Sequence, residues 1–76
     1  MENQTKHIKL GLALKEKRVS EGLSYQTIIK QLKMSLGTYK ALEAGTYKAS
    51  LMVLTKVSGY LEISLKETFD LYMNKS

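Results

Sequence analysis

The central part of the chain, residues 24–44, reads SYQTIIKQLKMSLGTYKALEA. Apolar residues recur in it three and four positions apart, which is typical of helices with one buried face. Ser24 and Ser35 can each cap the free N–H groups at the start of a helix. We therefore predict helices over about 24–32 and 35–44, joined by a very short turn. Because two short helices joined so tightly cannot lie antiparallel, they form a helix-turn-helix that needs other helices to cover its apolar faces.

The sequence on either side supplies those helices. Helical spacing of apolar residues predicts three more, over about 6–20, 50–61 and 64–73. The last begins with Ser64-Leu65-Lys66-Glu67, which has the spacing of a capping box. Proline is absent, and alternation of the kind that marks strands is scarce. The sequence thus predicts an all-α fold, a compact five-helix bundle containing a helix-turn-helix.

Length and composition limit what the chain can be. Its 76 residues allow one small domain, which we place at 6–73 between flexible tails at 1–5 and 74–76. Without cysteine, neither disulfides nor thiolate ligands can support the core. No apolar run is long enough to span a bilayer, and the N-terminus lacks a signal peptide's apolar stretch. We therefore expect a cytoplasmic protein that does not insert into a membrane.

Positive charge is concentrated in the first two-thirds of the chain. The formal net charge is +5, from 12 Lys and Arg against 7 Asp and Glu. Nine of the bases but only three of the acids lie in 6–48, whereas three bases and three acids balance in 49–76. A polyanion would therefore face the first part of the chain. The alternative is that these lysines simply solvate helix surfaces.

Short motifs that bear on the helix-turn-helix interpretation follow one another without a gap between residues 10 and 65. They are Leu10-Gly11, Arg18, Gly22-Leu23-Ser24, Ile28, Leu32, Met34-Ser35, Leu42-Glu43-Ala44-Gly45, Ser50-Leu51, Leu54, Val57 and Leu61-Glu62-Ile63-Ser64-Leu65. In these residues the chain resembles the phage-repressor/Cro-type helix-turn-helix family of DNA-binding proteins, which has the lambda-repressor-like fold. The resemblance covers about three-quarters of the sequence.

The resemblance implies a set of DNA contacts. In the family, the third helix enters the major groove, while the start of the second helix and the loop after the third hold phosphates. The positions that match the base-contacting ones are Leu36, Gly37, Thr38, Lys40 and Ala41. Those that match phosphate-contacting ones are Ser24, Tyr25, Lys33, Ser35, Thr46, Tyr47 and Lys48. For Tyr25 and Tyr47 the alternative is packing against a neighbouring helix. The resemblance also implies a structural ion pair between Arg18 and Glu43.

Several positions depart from the family pattern. Lys33 stands where most members have glycine, and it would have to adopt a left-handed backbone conformation. The five positions that match base-contacting ones include no Arg, Asn or Gln, so none of them can form two hydrogen bonds to one base. The apolar surface of Leu36 is equally suited to contact a protein.

Catalysis and metal binding find little support in the sequence. His7 is the only histidine, and we expect it to be exposed in a loose N-terminal segment. No catalytic triad or zinc ligand set can be assembled around it. We therefore expect no enzymatic activity, no metal, no cofactor and no small-molecule ligand.

Two functions follow as hypotheses. The first is a sequence-specific, double-stranded DNA-binding transcriptional regulator that acts as a repressor of a phage, plasmid or mobile element. It would act as a homodimer, because one such domain covers only one half-site. The expected dimer surface is apolar and lies in the neutral last third, at Leu61, Leu65, Phe69 and Tyr72. The second hypothesis is a protein-binding module on the same fold, such as an antirepressor, antitoxin or inhibitor.

Overall fold

The computed structural model describes residues 7–74 and folds them into five α-helices. These are α1 (Ile8–Ser20), α2 (Tyr25–Leu32), α3 (Leu36–Ala44), α4 (Leu51–Leu61) and α5 (Leu65–Tyr72). No strand occurs in this part of the chain, so the predicted all-α five-helix bundle is confirmed. The predicted tail at 1–5 lies outside the described residues. None of the five helices is long and apolar enough to cross a membrane.

Serine side chains begin four of the five helices. Each accepts a hydrogen bond from the backbone N–H three residues later, over 3.0–3.3 Å, and they are Ser24, Ser35, Ser50 and Ser64. At α5 the Glu67 carboxylate also accepts from the Ser64 N–H, which completes the predicted capping box. The predicted helix starts at 24, 35, 50 and 64 were each one residue early, because the capping serine has extended backbone and precedes the first helical residue.

The core is one cluster to which every helix contributes. Its fully or almost fully buried side chains are Leu10, Leu14, Ile28, Leu32, Tyr39, Leu42, Leu54, Val57 and Tyr72. Helix α1 packs on α3, α4 and α5, while α2 packs on α3 and α4. Helix α3 is therefore held between α1 and α2, with its other side free. This arrangement fixes the position of the helix on which the candidate site depends.

The backbones of α1 and α3 meet at Gly11, which is buried. A Cβ atom built there would overlap the carbonyl oxygen of Glu43 and lie 2.7 Å from that of Leu42. Real side chains do not approach backbone oxygen atoms so closely, so only glycine fits at this position. Gly11 thus sets how near α1 lies to α3.

His7 and Tyr72 pack against each other where α1 and α5 meet. The sequence had suggested an exposed His7 and a Tyr72 on the dimer surface. The rings stack at a centroid distance of 3.7 Å, and His7 Nδ1 lies 2.6 Å from the Tyr72 carbonyl oxygen. His7 is therefore not loose and exposed. Nor is Tyr72 part of an exposed dimer surface, since only 9% of it is accessible. The side chain of Asn74 accepts a hydrogen bond from the Lys9 N–H at 3.2 Å, so the folded part extends past the predicted end at 73.

Candidate nucleic-acid interface

The turn between α2 and α3 forms without glycine. Lys33 has φ 55° and ψ 54°, the left-handed conformation that the resemblance implied for it. The N–H groups of Lys33 and Met34 both donate to the Ile29 carbonyl, and the Lys56 ammonium donates to the Lys33 carbonyl at 3.1 Å. These bonds give the carbonyl groups of Ile29 and Lys33 hydrogen-bond partners and tie the turn to α4. They offset the strain of a side chain in the left-handed conformation.

Helix α3 presents a free outer face beside this turn. Leu36, Gly37 and Lys40 are exposed on it, and Ala41 is half-buried at its edge. A side chain at position 37 would meet no atom within 4 Å, so this face is open. The fold thus brings together four of the five predicted base-contacting residues. Ala44 is exposed one turn beyond Lys40 and completes the face; sequence reasoning missed it, although its helical phase could have indicated it.

Thr38 does not share this face. Two residues correspond to about 200° of helical rotation, which places Thr38 nearly opposite Lys40. Its hydroxyl accepts a hydrogen bond from the Ser35 Oγ at 2.9 Å, and its backbone N–H donates to that Ser35 oxygen. Thr38 therefore contributes to the N-terminal cap of α3 and lies off the face that carries the other four predicted base contacts.

Tyr25 at the start of α2 faces the protein rather than solvent. Its ring lies 4.3 Å from the Arg18 guanidinium carbon and meets the Tyr39 ring edge-on at 6.0 Å. Its hydroxyl is directed at the Glu43 carboxylate, 3.5 Å away. The ring of Tyr25 thus packs against neighbouring helices, as in the alternative, but its hydroxyl is directed at Glu43 and not into solvent. The Lys40 ammonium lies 5.3 Å from the centre of the same ring. Tyr25 therefore helps to hold this cation on the outer face of α3.

Arg18 and Glu43 form the ion pair that the resemblance implied. The Arg18 Nε donates to a Glu43 carboxylate oxygen at 2.6 Å, and the two side chains are only 14% and 8% exposed. Burial alone would raise the pKa of Glu43, but the hydrogen bond from Arg18, the neighbouring tyrosines and the guanidinium charge outweigh it and lower that pKa. The pair joins the end of α1 to the last turn of α3.

The loop after α3 is anchored at both ends. The His7 N–H donates to the Gly45 carbonyl at 2.9 Å, and the Ala49 N–H donates to the Tyr72 hydroxyl, also at 2.9 Å. Since His7 and Tyr72 stack on each other, the two anchors support one another. The loop is therefore held by the corner where α1 and α5 meet.

The three predicted phosphate contacts of this loop differ in how free they are. Lys48 is exposed. The hydroxyl of exposed Thr46 donates to the Ala41 carbonyl over a long 3.4 Å. The Tyr47 ring packs against the core, which is again the alternative reading. Among these three, Lys48 is the one fully available to a phosphate.

We expect Tyr72→Phe to loosen this loop. The substitution keeps the ring stacked on His7 but removes the acceptor of the part-buried Ala49 N–H. Leaving such a donor unsatisfied costs about 1–3 kcal/mol. Chemical denaturation should show that loss, and amide hydrogen exchange should accelerate more at Ala49 than in α2. Equal acceleration throughout the chain would show instead that the hydroxyl supports the whole bundle rather than the loop.

The segment that contains α3 carries unpaired positive charge. Residues 24–50 contain four lysines, and their only acidic residue, Glu43, is already neutralised by Arg18. None of these lysines pairs with a carboxylate in the part of the chain that the structure describes, and they are Lys30, Lys33, Lys40 and Lys48. The exposed caps Ser24 and Ser35 start α2 and α3 beside them. This combination of free cations and helix N-termini suits phosphate groups.

No family model and no curated protein sequence matches this chain. Within residues 7–74, no three His, Cys, Asp or Glu side chains come close enough together to hold a metal ion.

Proposed function

We propose that this protein is a sequence-specific, double-stranded DNA-binding regulator of transcription, with α3 entering the major groove. The observation that carries the proposal is the free face of α3, bordered by unpaired lysines and held on its opposite side by α1 and α2. The major groove admits one α-helix, and base edges there are read by side chains on its outer face. Lys40 would donate to guanine, and Leu36 or Ala41 would contact a thymine methyl group.

Phosphate contacts would place α3 in the groove. The N-terminus of α2 at Ser24 would hold one backbone, and Lys48 with Thr46 would hold the other. Lys30 and Lys33 would add longer-range attraction. Binding of this kind is strongest when two copies occupy half-sites about 34 Å apart, so we propose that the protein acts as a homodimer. A DNA-binding domain of this kind fits a cytoplasmic repressor of a phage, plasmid or mobile element.

One observation favours a second candidate, a protein-binding module on the same fold. The outer face of α3 carries a 37% exposed leucine, a glycine and two alanines, with Lys40 as its one polar side chain. Such a face suits an apolar protein groove as well as a DNA groove. An antirepressor, antitoxin or inhibitor would use it in that way.

Titration with DNA at several salt concentrations distinguishes the two. We expect the protein to prefer the DNA upstream of its own coding sequence over random duplex by about 10³-fold or more, with affinity falling steeply as salt rises. Equal affinity for both duplexes would contradict specific regulation. Absence of binding at low salt would favour the protein-binding module.

Two lysine variants test how α3 is oriented on the DNA. Lys40→Ala should change the order of preference among related DNA sites, because Lys40 lies on the outer face of α3, which would contact the bases. Lys48→Ala should weaken binding to all sequences alike and reduce the slope of log affinity against log salt by about 1. Binding assays on a panel of single-base variants measure both. If Lys48→Ala changes the preference and Lys40→Ala does not, α3 is not the reading helix.

A further inference from the structure

Helix α1 is apolar on two sides. Leu10 and Leu14 enter the core, while Ile8, Leu12 and Val19 form a second row on the outer side and remain 46%, 49% and 59% exposed. With Lys15, the outer row has spacings of four, three and four residues. This is the heptad spacing of helices that pair along one seam. The structure thus leaves a helix-pairing face uncovered by any described residue.

The outer row contains a concave site of the right form for such pairing. A shallow concavity of about 420 Å³ on α1 is lined by Leu12, Lys15, Glu16, Val19 and Ser20. In a parallel helix pair, a side chain at the level of Lys15 inserts between four residues of the other helix, at positions equivalent to 12, 15, 16 and 19. The lining of the concavity contains those four positions.

The charges beside the row complement each other. Lys15 and Glu16 form no ion pair with described residues, whereas their neighbours Lys17 and Arg18 are paired with Glu21 and Glu43. Successive residues are about 100° apart, so Lys15 lies at one edge of the row and Glu16 lies beyond its other edge. When two such helices are parallel and related by a two-fold axis, the Lys15 side of each faces the Glu16 side of the other.

We propose that the outer face of α1 binds a second copy of this chain through a parallel α1–α1 pair. The stem of Lys15 fills the concavity between Leu12 and Val19 of the other copy, and its ammonium pairs with Glu16 at the rim. The pairing is weak, because α1 is only about 20 Å long and one of its four seam positions is a lysine. The proposal does not depend on DNA binding. It places pairing on α1, away from the α5 surface that the sequence suggested.

Single cysteines test this face directly, because the chain contains none. In the proposed pair, Leu12→Cys places two thiols across the seam, within the reach of a disulfide. Thr55→Cys, at an exposed position on α4, and Phe69→Cys on α5 do not. Under mild oxidation without DNA, we expect Leu12→Cys to form covalent dimers about ten times faster than Thr55→Cys, because pairing raises the local thiol concentration. Equal rates for these two variants would overturn the proposal, as would faster dimer formation by Phe69→Cys.

Charge reversal tests the parallel orientation. Lys15→Glu and Glu16→Lys should each shift the sedimentation of the protein at high concentration toward monomer. An equal mixture of the two variants should associate again, since each then faces the opposite charge. The double variant should behave like the unaltered chain. Circular dichroism confirms that each variant is folded, which is expected because both positions are exposed. If the mixture stays monomeric while the unaltered chain associates, the seam is not parallel and the proposal fails.

Discussion

Gly11→Ala should lower the free energy of unfolding by about 3 kcal/mol or more, the upper part of the range for overpacked cores. The added methyl group would overlap the Glu43 carbonyl oxygen, which is backbone and cannot rotate aside. Relief would require α1 and α3 to separate, and that movement would also pull apart the ion pair of Arg18 with Glu43. Since a 76-residue domain has about 4–11 kcal/mol of stability in total, we expect a largely unfolded or very weakly stable variant.

Gly59→Ala is the matched control. Gly59 also lies inside a helix, α4, but a Cβ atom there would meet nothing within 4 Å. Alanine is favoured over glycine in helix interiors, so this variant should gain about 0.5–1 kcal/mol. Urea denaturation followed by circular dichroism measures both. A Gly11→Ala protein as stable as the unaltered chain would mean that α1 and α3 are not in backbone contact.

The helices could be predicted because the signals that define them are local. A capping serine bonds to an amide three residues away, and the spacing of Leu54 and Val57 is visible within one helix. The left-handed conformation of Lys33 could likewise be expected from its place in the turn. Such features depend on neighbours in the sequence, so the tertiary fold only confirms them.

The features that sequence reasoning missed depend on distant partners. The contact between Gly11 and Glu43 joins residues 32 apart, and the stacking of His7 on Tyr72 joins residues 65 apart. Nothing in the sequence near His7 indicates that an aromatic ring from α5 will cover it. The orientation of Tyr25 depends in the same way on Arg18 and Glu43, which lie on two other helices. The resemblance assigned Tyr25 to a phosphate contact, whereas its packing on Arg18 and Tyr39 decides where the ring points.

For the candidate site, helical phase determined what could be predicted. The outer face of α3 follows from the position of its buried residues Tyr39 and Leu42, so Leu36, Gly37 and Lys40 are where the sequence placed them. Thr38 was assigned to that face through the resemblance and lies on the other side. Agreement with the phase of a helix is therefore the more reliable guide to which residues can reach a ligand.

Glu43→Gln should be the second variant with a large effect. The substitution keeps the shape of the side chain but leaves the part-buried Arg18 guanidinium without a counter-charge, since the two side chains are only 14% and 8% exposed. Removing one partner of such a pair costs up to about 3–5 kcal/mol. Urea denaturation at neutral pH should show this loss. Glu62→Gln is the control, because Glu62 is exposed and forms no ion pair with a described residue, and it should change stability by less than about 0.5 kcal/mol.

The pH dependence separates loss of charge from loss of shape. The pKa of Glu43 in the folded protein lies below its ordinary value of 4.5, so the unfolded chain takes up this proton first as the solution is acidified. The stabilisation is complete above that value and is lost as the pH falls through the folded pKa. The stability difference between the unaltered chain and Glu43→Gln should therefore shrink on acidification below pH 4.5. A difference that stays constant down to pH 2 would assign the effect to packing rather than to the ion pair.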